Sequence, residues 1–140
     1  MGLLRRSDWP ERLAAVLEAA YGKPYVIGDS DCLRLACAAV EAQTGRDYWP
    51  RFAGYRTKRQ ALVTIARIAP TFADAVTAVL GVTPSAMPSA RRGDIVMHRD
   101  ASGEDHLGVC TGRRVMLMAA TGATLMARDD PSLTACWRIG

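Results

Sequence analysis

Four cysteines and two histidines are the residues of this 140-residue chain whose types could carry covalent chemistry. Cys32, Cys37, Cys110 and Cys136 form no CxxC pair, and His98 and His106 do not stand at zinc-ligand spacing, so no metal centre is expected. Cys32 differs from the other thiols because it directly follows Asp31 at the predicted start of a helix. The unpaired N–H groups and positive end of a helix favour a thiolate there and could hold a developing oxyanion. Cys37 lies more than a turn further in and reads as core. His106 opens the segment His106-Leu107-Gly108-Val109-Cys110, whose alternation sets His106, Gly108 and Cys110 on one face. Gly108 is expected to leave space beside the imidazole. His98 ends the preceding strand candidate. A cysteine nucleophile served by a histidine base is the chemistry these residues suggest.

The elements that must position them follow from periodicity. Asp8, Pro10 and Glu11 predict a capped start for a helix over residues 9–20, with Leu13, Val16, Leu17 and Ala20 at helical spacing. A second helix follows Asp31, with Leu33, Ala36, Cys37 and Val40 on one face and Gly45 as its stop. Residues 46–56 read as an aromatic, arginine-rich loop. A third helix starts near Thr57 and carries Ala61, Leu62, Ile65 and Ile68 inward, and a short fourth one ends at Gly81. Residues 82–92, with Pro84 and Pro88, read as a surface connector. From Gly93 the period changes to 2, giving strand candidates over 94–98, 106–111, 115–119, 123–127 and 135–139. Helices first and an antiparallel sheet second make an α+β fold, taken as one domain over residues 1–140.

The order and local wording of these pieces carry a resemblance. Lys23-Pro24-Tyr25-Val26-Ile27-Gly28, then Asp31-Cys32 opening a helix, then Arg92-Gly93-Asp94-Ile95-Val96, then His106-Leu107-Gly108-Val109 before Gly112, together resemble the NlpC-type cell-wall peptidases. Within that family the chain is most similar to the short NlpC-like proteins encoded beside tail genes of phages and gene-transfer agents. Trp9 to Leu13 and Ala135 to Arg138 also look like that group. The resemblance implies a papain-like fold, N-terminal helices packed on a C-terminal antiparallel sheet, with Cys32 as nucleophile and His106 as general base. It makes Tyr25 a candidate near the oxyanion and brings in Asp31, whose own spacing reads first as a helix cap. Where the family usually has a third polar residue to orient the histidine, this chain has Met118, which offers no proper acceptor. That leaves a Cys-His dyad, an orienting group from elsewhere, or an inactive protein kept for structure.

Composition bounds the function classes. Hydrophobic residues make up 49% and charged residues 23%, which excludes wholesale disorder. Eighteen basic against fourteen acidic residues give +4, and sixteen of the eighteen are arginine, spread along the chain without a nucleic-acid reading motif. No specific nucleic acid is expected. The longest apolar stretch is too short to span a membrane, and the N-terminus lacks a signal-peptide apolar core. Synthesis in a bacterial host cytoplasm is expected, which argues against disulfides. On the resemblance, the partners would be a peptidoglycan peptide and tail-tip or hub proteins, the location a phage tail in the virion, and no cofactor would be used.

Overall fold

The computed structural model describes residues 3–140, so the first two residues of the expected 1–140 domain lie outside it. Four helices come first: α1 (Trp9–Ala20), α2 (Cys32–Thr44), α3 (Lys58–Ile68) and α4 (Phe72–Leu80). Five strands follow: β1 (Ile95–Arg99), β2 (Asp105–Cys110), β3 (Arg114–Ala119), β4 (Gly122–Ala127) and β5 (Leu133–Trp137). They form one antiparallel sheet in the order β4-β3-β2-β1-β5, with β5 returning to the far edge. The α+β arrangement expected from the sequence is present.

Local chemistry explains most helix ends. The side chains of Asp31, Thr57 and Thr71 accept hydrogen bonds from Arg34, Gln60 and Asp74 N–H, satisfying orphan donors of α2, α3 and α4. Gly45 ends α2 in the left-handed region at φ 79°, where a Cβ would be strained. Asp8 departs from expectation. It makes no capping bond, because its carboxylate instead pairs with Arg12 at 2.7 Å, one turn along α1.

Helix α2 lies between α1 and the sheet and is buried on nearly every side, including Leu33, Ala36, Cys37 and Val40. Its apolar face meets Ile95, Met97, Leu107, Val109 and Met116. Alternation sends Val96, Cys110, Val115 and Leu117 to the opposite sheet face, where they form a second cluster with Ala90, Leu133 and Cys136. Buried Gln43 of α2 donates to Gly93 carbonyl and accepts from Arg5, tying the helix to the start of the sheet. Buried Asp94 accepts from Arg91 and Ile139 N–H and so clamps the first strand to the C-terminal segment.

The third helix corrects its expectation. Only Ile65 of α3 is buried, and Leu62 is 56% exposed, because α3 leans on α4 rather than on the sheet and leaves part of its apolar stripe facing a cleft. The loop over 46–56 contains a short 3-10 turn, Trp49–Arg51, and buries Phe52 and Tyr55. The connector over 82–92 likewise contains a turn, Met87–Ser89, and joins the sheet through a bridge between Ser85 and Cys136. Among the described residues no single helix is long and apolar enough to cross a membrane. The pair α3 and α4 qualifies only when taken together, bent by 58°.

Candidate functional site

One cleft runs between the N-terminal end of α2, helix α3 and the β1–β2 hairpin. Tyr25, Asp31, Cys32, Tyr55, Glu104 and His106 all contribute to its lining. The four sequence-derived candidates therefore all line this cleft, although they do not share one role.

Cys32 is the first residue of α2 and keeps part of its surface, whereas Cys37, Cys110 and Cys136 are buried. Its sulfur is nonetheless enclosed by protein. Burial pushes the thiol up to about 11, aided by the Asp31 carboxylate and opposed by the N–H groups of Leu107, Cys32 and Leu33. The helix end was expected to favour the thiolate. It does, but desolvation outweighs it. The Leu107 N–H is available because β2 and β3 pair only at Val109–Met116 and Cys110–Val115, leaving Leu107 outside that ladder.

Asp31 is 3% exposed and fully committed to holding the turn that presents Cys32. Its Oδ1 accepts from Arg34 N–H at 2.9 Å, and its Oδ2 accepts from Gly28 N–H at 2.8 Å and from the Tyr55 hydroxyl at 2.5 Å. Gly28 stands at φ 80°, and a Cβ there would collide with the Tyr55 carbonyl, so this turn admits only glycine. Tyr25 is partly exposed on the cleft wall. Burial, then the charges of Cys32 and Asp31, push its hydroxyl up to about 12, which keeps it a hydrogen-bond donor at neutral pH.

His106 is near the start of β2. Its Nε2 lies 2.8 Å from Asp100 Oδ2 and 3.9 Å from Glu104 Oε2, and its ring centroid is 6.0 Å from that of His98, its register partner on β1. No hydrogen bond joins His106 to Cys32 among the described residues. With Nε2 engaged by Asp100, Nδ1 is the nitrogen free to exchange a proton. Asp100 is itself fixed: its Oδ1 accepts from Ser102 N–H, Ser102 hydroxyl and Glu104 N–H. These bonds, the Ser102 hydroxyl first and His106 next, hold its carboxyl well below the usual carboxylate range.

Sequence reasoning missed Asp100. The signal was present, since a hairpin over residues 101–105 must return the residue before the turn to the side of the residue after it. Met118 behaves as its type requires: it pairs with Ala123 in the ladder and packs against the main core, offering His106 no acceptor. Gly108 corrects its expectation. The space over it is taken by β3, for a Cβ would stand 2.7 Å from both Leu117 Cδ2 and Met116 carbonyl oxygen. Across the cleft mouth, Lys58 Nζ of α3 meets Glu104 Oε1 of the hairpin at 2.5 Å.

A family model for a domain of unknown function, DUF6950, matches residues 4–139. The chain belongs to the DUF6950 family. Comparison with curated proteins finds no match. The matched span takes in the Asp31-Cys32 turn, the whole sheet and the Asp100 hairpin, so every residue of this cleft lies within the DUF6950 domain.

Proposed function

We propose that this DUF6950 chain is a cysteine hydrolase with a papain-like fold of the NlpC type, acting on the peptide part of peptidoglycan as a phage-tail component during wall penetration. The observation that carries the reading is that Cys32, at a helix N-terminus, and His106, oriented by Asp100, line one cleft. The tail setting rests on the likeness of the Trp9–Leu13 and Ala135–Arg138 segments to tail-encoded NlpC-like proteins.

The residues divide the work as follows. Asp100 accepts from Nε2–H of His106, which leaves the Nδ1 lone pair to take the proton from the Cys32 thiol. The sulfur attacks the scissile carbonyl carbon, and the N–H groups of Cys32 and Leu107, with the Tyr25 hydroxyl, are the donors at hand for the oxyanion. The imidazolium then protonates the leaving amine, and water cleaves the thioester to restore the thiol. Because burial keeps Cys32 protonated at rest, proton transfer accompanies attack instead of preceding it, and substrate must draw the imidazole and thiol together.

One observation favours a second reading, a structural tail-tip or assembly protein that retains the fold without turnover. The Cys32 thiol is held up at about 11 and has no hydrogen bond to His106. Digestion of purified peptidoglycan separates the two. The hydrolase reading expects released peptides with new termini, detected by mass spectrometry, and none from Cys32→Ala. No release by the parent protein, at concentrations where a known wall hydrolase digests the sample fully, supports the structural reading.

A further inference from the structure

We propose that Asp100, Glu104 and His106 form a binding site for a divalent transition-metal ion of the zinc class. The three side chains come from one hairpin, in which Asp100 precedes the turn and Glu104 and His106 follow it. The spacing of the two histidines gave no hint of it, because only one of them takes part and the other two donors are carboxylates.

The geometry suits such an ion. Nε2 of His106 is 2.8 Å from Asp100 Oδ2 and 3.9 Å from Glu104 Oε2, and one donor atom from each of the three residues lies within 4.8 Å of the other two. Three atoms so spaced share a point at most about 2.8 Å from each, from which small side-chain rotations reach the 2.0–2.2 Å at which zinc takes imidazole and carboxylate. One imidazole and two carboxylates make three protein ligands, the number that leaves zinc a coordination position for water.

The surroundings aim these atoms at a common point. Asp100 Oδ1 is consumed by Ser102 and Glu104 N–H, so Oδ2, the oxygen that faces His106 Nε2, is its ligand atom. Glu104 Oε1 is held by Lys58, which belongs to α3 and not to the hairpin, so Oε2 is the oxygen left on the His106 side. Outer contacts of this kind orient ligating side chains before the ion arrives.

Binding does not depend on the hydrolase reading, but on that reading it has a definite consequence. A metal at Nε2 uses that nitrogen's lone pair, so the neutral ring carries its proton on Nδ1. Nδ1 then cannot accept the thiol proton. Metal and general base exclude each other.

The test uses cobalt(II) as the spectroscopic probe, titrated into the full chain with disulfide-free thiols. One equivalent is expected to bind with a visible ligand-field band and no sulfur-to-cobalt charge transfer. His106→Gln should abolish the band, and Asp100→Asn and Glu104→Gln should each weaken binding by about tenfold or more. Cys32→Ser and His98→Gln should bind as the parent does, which also establishes that an altered cleft or sheet face still folds. Absence of binding at a hundredfold excess of cobalt overturns the proposal. So does a charge-transfer band lost in Cys32→Ser, loss of binding in His98→Gln, or full affinity in His106→Gln or Asp100→Asn. None of these outcomes bears on peptidoglycan release, which is measured separately without metal.

Discussion

Asp100 Oδ2 lies 2.8 Å from Nε2 of His106, and this contact supplies the orienting acceptor that position 118 lacks. On the hydrolase reading, the acceptor comes from the turn before the histidine instead of from the strand after it. Such a change keeps the tautomer requirement of a histidine base while releasing β3 to be apolar on both faces.

That relationship predicts opposite outcomes for two asparagine substitutions. On the hydrolase reading, Asp100→Asn should cut turnover of peptidoglycan peptides steeply, by up to about ten-thousandfold, the order seen for the analogous change in a serine protease triad. Met118→Asn should give no gain in turnover and some loss of stability, because it sets an amide among core side chains. Initial-rate measurements on the three proteins decide it. A gain from Met118→Asn would mean that Asp100 does not orient the ring.

Cys32 should be alkylated first among the four thiols, since the others are buried, yet slowly at neutral pH. With its thiol held up to about 11, the thiolate fraction at pH 7 is roughly a few hundredfold below that of an ordinary cysteine near 8.5. The rate should climb with pH past 9 toward 11. The sign for stability is the same: a neutral thiol is favoured in the fold, so the Cys32 contribution is intact below the unfolded value and is lost as pH rises toward 11. Peptide mapping after brief iodoacetamide labelling across pH 6–10 checks the order of labelling and its pH dependence, and urea unfolding across the same range checks the stability. A plateau already reached at pH 7 would contradict the enclosed sulfur.

How much of this was legible in the sequence depended on whether the cause was local. Helix limits at Asp31, Gly45, Thr57 and Gly81 were readable because caps and left-handed stops act within a turn. The five strands were readable from alternation. The Cys32 environment was not, because its thiol is governed by how closely β2 covers it, a tertiary matter that overrides the helix end. The Gly-Asp pair at 93–94 carried family wording, yet its physical role is a buried clamp to Arg91 and Ile139 that only the return of the C-terminus reveals. Likewise Leu62 has core-like spacing, but nothing in α3 says that its partner is α4 and not the sheet.

Tyr55→Phe should destabilise the fold by about 1–3 kcal/mol, the cost of depriving a buried carboxylate of one charge-assisted donor. Among the described residues, the Gly28 N–H would then be the one remaining donor on Asp31 Oδ2. Because that carboxylate fixes both the turn over 28–31 and the first turn of α2, the loss should also loosen Cys32, raising its alkylation rate at fixed pH. Urea unfolding read by tryptophan fluorescence measures the first effect and peptide mapping the second. An unchanged midpoint would mean that the hydroxyl is replaced by water without cost.

Gly108→Ala tests whether the glycine after His106 serves the substrate or the sheet. If it left room for a ligand, an added methyl would spare stability and reduce binding. In the structure that methyl meets Met116 carbonyl oxygen and Leu117 Cδ2 at 2.7 Å and Val115 Cγ1 at 2.9 Å. The oxygen belongs to the backbone of a paired strand and has little freedom to move, so β2 and β3 must spread. Overpacking of this kind costs about 1–3 kcal/mol. The free energy of unfolding should therefore fall by that amount, with the ladder at Val109–Met116 losing amide-exchange protection before the rest of the sheet. A variant of parental stability would return Gly108 to the cleft and reverse the assignment of its face.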